Sequence, residues 1–314
     1  MSLYKEYRPS TLEDVLGNED TVKAIRAHFA QDPKRVSHCH IISGPSGCGK
    51  TTLARIIATE LLHAHPQFSI KEINFAENRG IDTAREIMEQ MKGMPLQGKA
   101  LVYILDEAHG MTTDAKRAFL KPTEETPPHV YFFFCTTNLA QFLKGDEGKA
   151  IGTRSTQWVV EPLTGRQLGG LVAKVAEKES YKLDDDLLSR IVDAAEGSPR
   201  AALVALEKIM ALDGDKKAQM KVLEPGAVEE SPDTIELCRA LLARKPWQDV
   251  SKILRQMKGK VDAESVRRAV LGYMSSTILN KADDHIAEIM DQFAINTYDT
   301  GFPGLVLAAW HSTK

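Results

Sequence analysis

The chain lacks most of what would mark a secreted, metal-stapled or membrane-bound protein. Its four cysteines, Cys39, Cys48, Cys135 and Cys238, stand far apart with no CxxC pair. That spacing gives no disulfide framework and no zinc knuckle, and a reducing compartment is the expectation. Apolar residues never run for the roughly 18 positions a membrane helix needs. Met1-Ser2-Leu3-Tyr4-Lys5-Glu6 opens without an apolar signal core, so a soluble, cytoplasmic chain with no membrane partner is expected. An excess of charge is also missing: 40 Lys plus Arg stand against 43 Asp plus Glu, a formal net charge of -3. Any nucleic-acid contact must then come from a local patch. No internal repeat or low-complexity tract is present.

What is there is length and alternation. At 314 residues the chain exceeds what one core usually organises. Short apolar runs alternate with helical patterns, as in a parallel sheet with crossover helices. Strands are predicted at Cys39 to Ser43, Ser69 to Phe75, Leu101 to Asp106, Tyr131 to Thr137 and Thr156 to Val160. The run Val130-Tyr131-Phe132-Phe133-Phe134-Cys135 is apolar on both alternating faces, which predicts the middle of the sheet. After Glu161 the strand signals stop and helical periodicity takes over. The expectation is an α/β nucleotide-binding domain over 1–161, a three-helix domain over 162–214, a polar linker over 215–232 and a second helical domain over 233–314.

Gly44-Pro45-Ser46-Gly47-Cys48-Gly49-Lys50-Thr51 fits GxxxxGK[ST], lying after an apolar strand and before a helix read from Thr52. Glycines let backbone N–H groups wrap phosphates, Lys50 reaches the terminal phosphates, and the Thr51 hydroxyl suits Mg²⁺. Leu101-Val102-Tyr103-Ile104-Leu105-Asp106-Glu107 is a strand ending in two acids. Asp106 is the expected second metal ligand and Glu107 the group that polarises water toward a γ-phosphate. The two motifs together predict ATP hydrolysis with Mg²⁺. Gly197-Ser198-Pro199-Arg200 reads as a helix start, with Ser198 as N-cap and Pro199 in the first turn. Arg200 then sits where a cation opposes the helix dipole, which an anionic partner would explain.

At these residues the chain resembles the AAA+ ATPase subunits of sliding-clamp loaders. Tyr7-Arg8-Pro9 followed by Asp14-Val15-Leu16-Gly17-Asn18-Glu19 looks like their opening segment, which packs near the adenine. Asn78-Arg79-Gly80-Ile81-Asp82 is similar to replication factor C subunits, and Leu120 to Val130 resembles the bacterial polymerase III gamma subunit. The short chain looks phage-like, so a bacterial or phage-infected cytoplasm is expected. The resemblance covers residues 4 to 212; beyond them only length and helical character match an oligomerising collar. It implies an AAA+ sheet domain, a helical lid and a collar. It implies Tyr7, Arg8, Val15, Leu16 and Pro199 beside the nucleotide, and Thr137 or Asn138 as first sensor. Arg200 becomes the lid sensor, and Arg154 of Thr153-Arg154-Ser155 an arginine finger acting on a neighbour's ATP.

The partners so implied are a sliding clamp, primed DNA and other subunits of a pentameric ring. Candidate phosphate contacts are Arg79, and Lys116, Arg117 and Lys121 on one helix, where Arg117 and Lys121 share a face. A solvated basic face is the alternative. The family often has glutamine at Lys116, and Pro122 predicts that this helix kinks or ends early. His63 and His65 read as exposed residues, and no zinc is expected. Rival functions are a DEAH-type helicase, suggested by Asp106-Glu107-Ala108-His109, a helicase loader or branch-migration motor, and a non-catalytic scaffold subunit. The single nucleotide-binding core, the missing winged-helix signature and the retained Lys50, Thr51, Asp106 and Glu107 argue against them in turn.

Overall fold

The computed structural model describes residues 2–313 apart from 78–79, 96, 213, 224–231, 259–262, 281–282 and 296–300. The chain divides into two compact units, Met1–Asp213 and Gly214–Lys314.

The first unit is built on five strands, β1 (Cys39–Ser43), β2 (Ile70–Asn74), β3 (Leu101–Asp106), β4 (Val130–Thr136) and β5 (Thr156–Val159). They lie in the order β2-β3-β4-β1-β5, and every pairing is parallel. Parallel neighbours need crossover helices, and these cover both faces. They are α3 (Lys50–Ile56), α4 (Ile81–Gln90), α5 (Thr113–Glu124), α6 (Leu139–Phe142) and α7 (Gly145–Thr153), preceded by α1 (Leu3–Glu6) and α2 (Glu19–Phe29).

Because successive side chains of a strand point to opposite faces, one strand supplies two cores. Ile42 of β1 and Phe133 and Cys135 of β4 pack with Leu53 and Ile57 on one side. Ile41, Phe132 and Phe134 pack with Phe119, Phe142 and Ile151 on the other. β4 occupies the centre, as its two-sided apolar run requires. Ser43 of β1 lies level with Thr136 of β4 and Val159 of β5, so the carboxyl ends of these strands form one edge.

Pro122 does not stop α5 on the spot. The missing N–H removes one rung, but Glu125 N–H still reaches the Lys121 carbonyl at 2.9 Å, and the helix ends at Glu124. After β5 come α8 (Gly165–Lys178), α9 (Asp185–Ala195) and α10 (Pro199–Ala211). Thr164 and Gln167 close a capping box on α8, and Ser198 Oγ accepts from Ala201 N at 3.2 Å to cap α10.

The second unit contains α11 (Lys216–Val222), α12 (Pro232–Leu242), α13 (Trp247–Met257), α14 (Ala263–Asn280), α15 (Asp284–Ala294) and α16 (Gly301–His311). Leu241, Val250, Val270, Met274, Phe293 and Leu305 meet in its core. α11 falls inside the stretch expected to be a linker. Lys216-Lys217-Ala218-Gln219-Met220-Lys221 are good helix formers, and Asp215 Oδ1 caps them by accepting from Ala218 N at 3.0 Å.

Candidate nucleotide-binding site

The phosphate loop leaves β1 at Ser43 and turns into α3, whose first helical residue is Lys50 rather than Thr52. Gly44 has a positive φ of 153°, and a Cβ there would collide with the Val160 carbonyl, so this turn is open only to glycine. Gly47 is constrained from the other side: a Cβ would strike Ser198 Oγ at the head of α10. The loop is therefore wedged between β5 and the lid. Lys50 is buried and its Nζ donates to the Pro45 carbonyl at 2.9 Å, folding back across the loop. Burial pushes the Cys48 thiol up, opposed by the Lys50 charge, which leaves it a poor nucleophile.

The acids at the end of β3 face this loop. Thr51 Oγ1 donates to Asp106 Oδ2 at 2.9 Å, and Glu107 N donates to Asp106 Oδ1 at 3.1 Å. A hydroxyl and a carboxylate converging at the head of the phosphate helix make a hard-oxygen donor pair that fits Mg²⁺. Glu107 has φ of 51°, in the left-handed region, which turns its side chain toward β4. There Thr137 Oγ1 donates to Glu107 Oε2 at 3.4 Å, and His109 Nδ1 lies 3.4 Å from the same oxygen. Of the two sensor candidates, Thr137 is the one joined to Glu107. The Asn138 side-chain oxygen caps α6 by accepting from Gln141 N at 2.9 Å.

These groups open into a cavity of about 840 Å³ within the first unit. Lys50, Thr51, Asp106 and Glu107 line its phosphate end; Tyr7, Arg8, Val15 and Leu16 line the wall opposite; Pro199 and Arg200 close it from the lid. Two contacts hold the N-terminal wall against the sheet and its helices. Leu12 N donates to Glu60 Oε2 at 2.7 Å, and Asn18 brackets Glu161, accepting from its N at 2.7 Å and donating to its carbonyl at 3.2 Å. Asn18 takes a φ of 58°, a conformation asparagine tolerates better than most residues. Tyr7 donates to Glu179 Oε1 at 2.5 Å, and that bond raises the phenol to about 12.

Several lining residues had no motif to announce them. Arg166, Gly170, Lys174 and Lys178 of α8 line the cavity at four-residue spacing, and that helical period is the signal a sequence reading would have used. Tyr4, which also lines the cavity, carried no comparable signal.

The proposed DNA face is where the structure corrects the sequence. Lys116 is buried, and its Nζ donates to the Phe142 carbonyl at 2.6 Å and the Gln141 carbonyl at 3.3 Å. The helix face that carries it packs on α6, so this ammonium serves the interior rather than a phosphate. Burial pushes its pKa down, opposed by Glu147. Arg117 is exposed and pairs with Glu147 at 2.8 Å; Lys121 is exposed with Glu125 at 3.9 Å. Arg79 lies outside the described residues. Arg154 does not line its own chain's cavity: it follows α7, pairs with Glu124, and donates to the Ala150 carbonyl at 3.0 Å.

A family model described as DNA polymerase III, delta subunit, matches residues 17–147. The DNA polymerase III subunit gamma/tau of Mycobacterium tuberculosis is 29% identical over 268 residues, covering 76% of this chain and 45% of that protein. The DNA polymerase III subunit tau of Bacillus subtilis is 30% identical over 249 residues, covering 73% of this chain and 43% of that protein. The chain thus spans less than half the length of either relative. Among solved structures, the Thermotoga maritima RuvB Holliday junction branch migration motor matches with a TM-score of 0.58 at 18% identity, over 86% of this chain and 91% of that one.

The parallel sheet, the phosphate loop and the helices that follow define an AAA+ P-loop fold. Sequence likeness takes this one step further, to the DNA polymerase III gamma/tau subunits, which the chain resembles over 76% and 73% of its own length.

Proposed function

We propose that the chain is the ATPase subunit of a sliding-clamp loader. ATP binding would assemble it with other subunits into an open ring that grips a clamp and primed DNA, and hydrolysis would release them. The observation that carries the reading is the convergence of Thr51, Asp106 and Glu107, the last of them bonded to Thr137, on one cavity that the lid residue Arg200 also lines. In this reading Thr51 and Asp106 hold Mg²⁺, which supplies charge neutralisation on the phosphates. Lys50 and the loop amides receive the β- and γ-phosphates, and Glu107 accepts the proton of the attacking water. Thr137 keeps that carboxylate oriented, and Arg200 meets the terminal phosphate.

Arg154 is proposed as the finger offered to a neighbouring subunit, a role that requires it to exchange Glu124 for a partner's phosphate. Arg117 and Lys121 remain the proposed DNA contacts; Lys116 does not. The likeness to the branch-migration motor is one of fold and gives no reason to prefer that activity.

The test is ATP turnover of the full chain with its companion subunits. Primed DNA and the sliding clamp of the same genome, added together, should raise the rate severalfold above either alone. Turnover indifferent to both would move the chain to another AAA+ machine.

A further inference from the structure

One wall of the cavity is made by the N-terminal segment, outside the phosphate loop and the acidic end of β3. α1 packs against α10, and Leu3 is buried at that junction. There the Arg200 guanidinium carbon lies 4.8 Å from the centroid of the Tyr4 ring. One helical turn on, Tyr7 donates to Glu179 just past the end of α8, and Lys178 Nζ lies 5.5 Å from the Tyr7 ring centroid. Both aromatic rings of the N-terminal segment are therefore engaged with lid cations. The rest of that segment is engaged with the sheet side, through Leu12 and Asn18. Residues 3–18 form a strap from lid to core that runs along the cavity.

Arg200 needs such a support. It is the second residue of α10, where a cation opposes the helix dipole. Arg200 N lies 3.5 Å from the Gly47 carbonyl, which fixes the backbone beside the phosphate loop but leaves the side chain to find its own partner. The negative face of an aromatic ring is a suitable one: it attracts a guanidinium without neutralising it, as a carboxylate would. The charge stays available to an anion in the cavity that both residues line.

We propose that Tyr4 is a positioning residue for Arg200, its ring face holding the guanidinium where the terminal phosphate of a nucleoside triphosphate meets it. The inference rests on the reading of Arg200 as the lid arginine of this nucleotide site. It follows that discrimination between triphosphate and diphosphate depends on a residue that acts through another.

The experiment is equilibrium binding of ADP and of a slowly hydrolysed ATP analogue to the full chain. The variants are Tyr4→Leu, Tyr4→Phe, Arg200→Ala and the double Tyr4→Leu/Arg200→Ala. Tyr4→Leu should weaken the analogue about three- to ten-fold and ADP by no more than about two-fold, the range of a part-exposed cation–π contact. Tyr4→Phe keeps the ring face but gives up the phenol's hydrogen bond with Arg200, and should weaken the analogue by clearly less than Tyr4→Leu does. The double variant should bind like Arg200→Ala, because the ring acts only through the arginine. Equal losses for the two nucleotides, or losses that add in the double variant, would overturn the proposal by reducing Tyr4 to packing. If Arg200→Ala weakens the analogue and Tyr4→Leu does not, the Tyr4 proposal alone falls. If Arg200→Ala changes neither affinity, the lid-arginine reading falls and takes the proposal with it.

Discussion

At the carboxyl edge of the sheet, Thr51, Asp106, Glu107 and Thr137 come from three separate stretches of chain and end joined by hydrogen bonds. On α5, three cations that are neighbours in the chain end in three different situations. Lys116 is buried against two carbonyls, Arg117 is tied to Glu147, and Lys121 is in solvent beside Glu125. Strand ends converge because the sheet forces them to, whereas adjacency on a helix sends side chains to different faces. Charge alone does not make a surface. A parallel sheet gathers what its loops carry; a helix sorts what it carries into inside and outside.

The largest effect is expected at the proposed hydrolytic site. Glu107→Gln should slow ATP turnover by about 10²–10⁴-fold, the usual worth of a general base. ATP affinity should stay near its original value, because Thr51 and Asp106 are untouched. A parallel loss of affinity and turnover would return Glu107 to the fold or the metal.

A smaller effect is expected on α5. Lys116→Met takes the ammonium donor from the Phe142 carbonyl, while Gln141 keeps the Lys144 N–H, and should lower unfolding stability by about 1–3 kcal/mol, measured in urea. The salt dependence of primed-DNA binding should not change with it. Arg117→Ala with Lys121→Ala should do the reverse, flattening the salt slope by about 0.9 for each phosphate that is no longer neutralised. If Lys116→Met also flattened the slope, its ammonium would have to leave the interior to reach DNA.

The gentlest test lies within the sheet itself. His40 of β1 is fully buried, accepts from Trp158 Nε1 at 3.2 Å, and is pushed down to about 3 by burial. It folds neutral, so the unfolded chain binds the extra proton once the pH drops below the ordinary histidine value of 6.5. Its contribution is complete above that pH and is lost progressively as pH falls toward the folded value. The slope is at most about 1.4 kcal/mol per pH unit. His40→Gln should flatten the stability profile over that window, and an unchanged profile would assign the acid sensitivity to other groups, His28 among them.

Much of this site was legible in the sequence, and the reasons are local. β1 and β3 were read to the residue, since apolar runs bounded by the glycine loop and by Asp106 have unambiguous ends. β4 was read one residue late, at Tyr131 to Thr137 against Val130–Thr136, because polar Thr136 and Thr137 look alike in sequence while only Thr136 pairs with Ser43. The helix start at Ser198 was legible from its cap chemistry. Lys116 was not, because its partners lie some 25 and 26 residues away on another element. Nor was the pairing of Arg154 with Glu124, thirty residues apart. The helices of the second unit could be anticipated only in kind, since amphipathic periodicity says that a face is buried and not against what.

The bracket between Asn18 and Glu161 carries a mechanical consequence. Asn18 grips both backbone groups of Glu161, just before the chain turns into the lid. The strap and the lid therefore spring from a single pivot, and Tyr7 joins them again at Glu179. With two fastenings, the N-terminal wall of the cavity and the helices after β5 are tied to each other at both ends. If α8 turned about that pivot, Arg8, Val15 and Leu16, which lie on the strap between the two fastenings, would be carried with it and the cavity they line would change width.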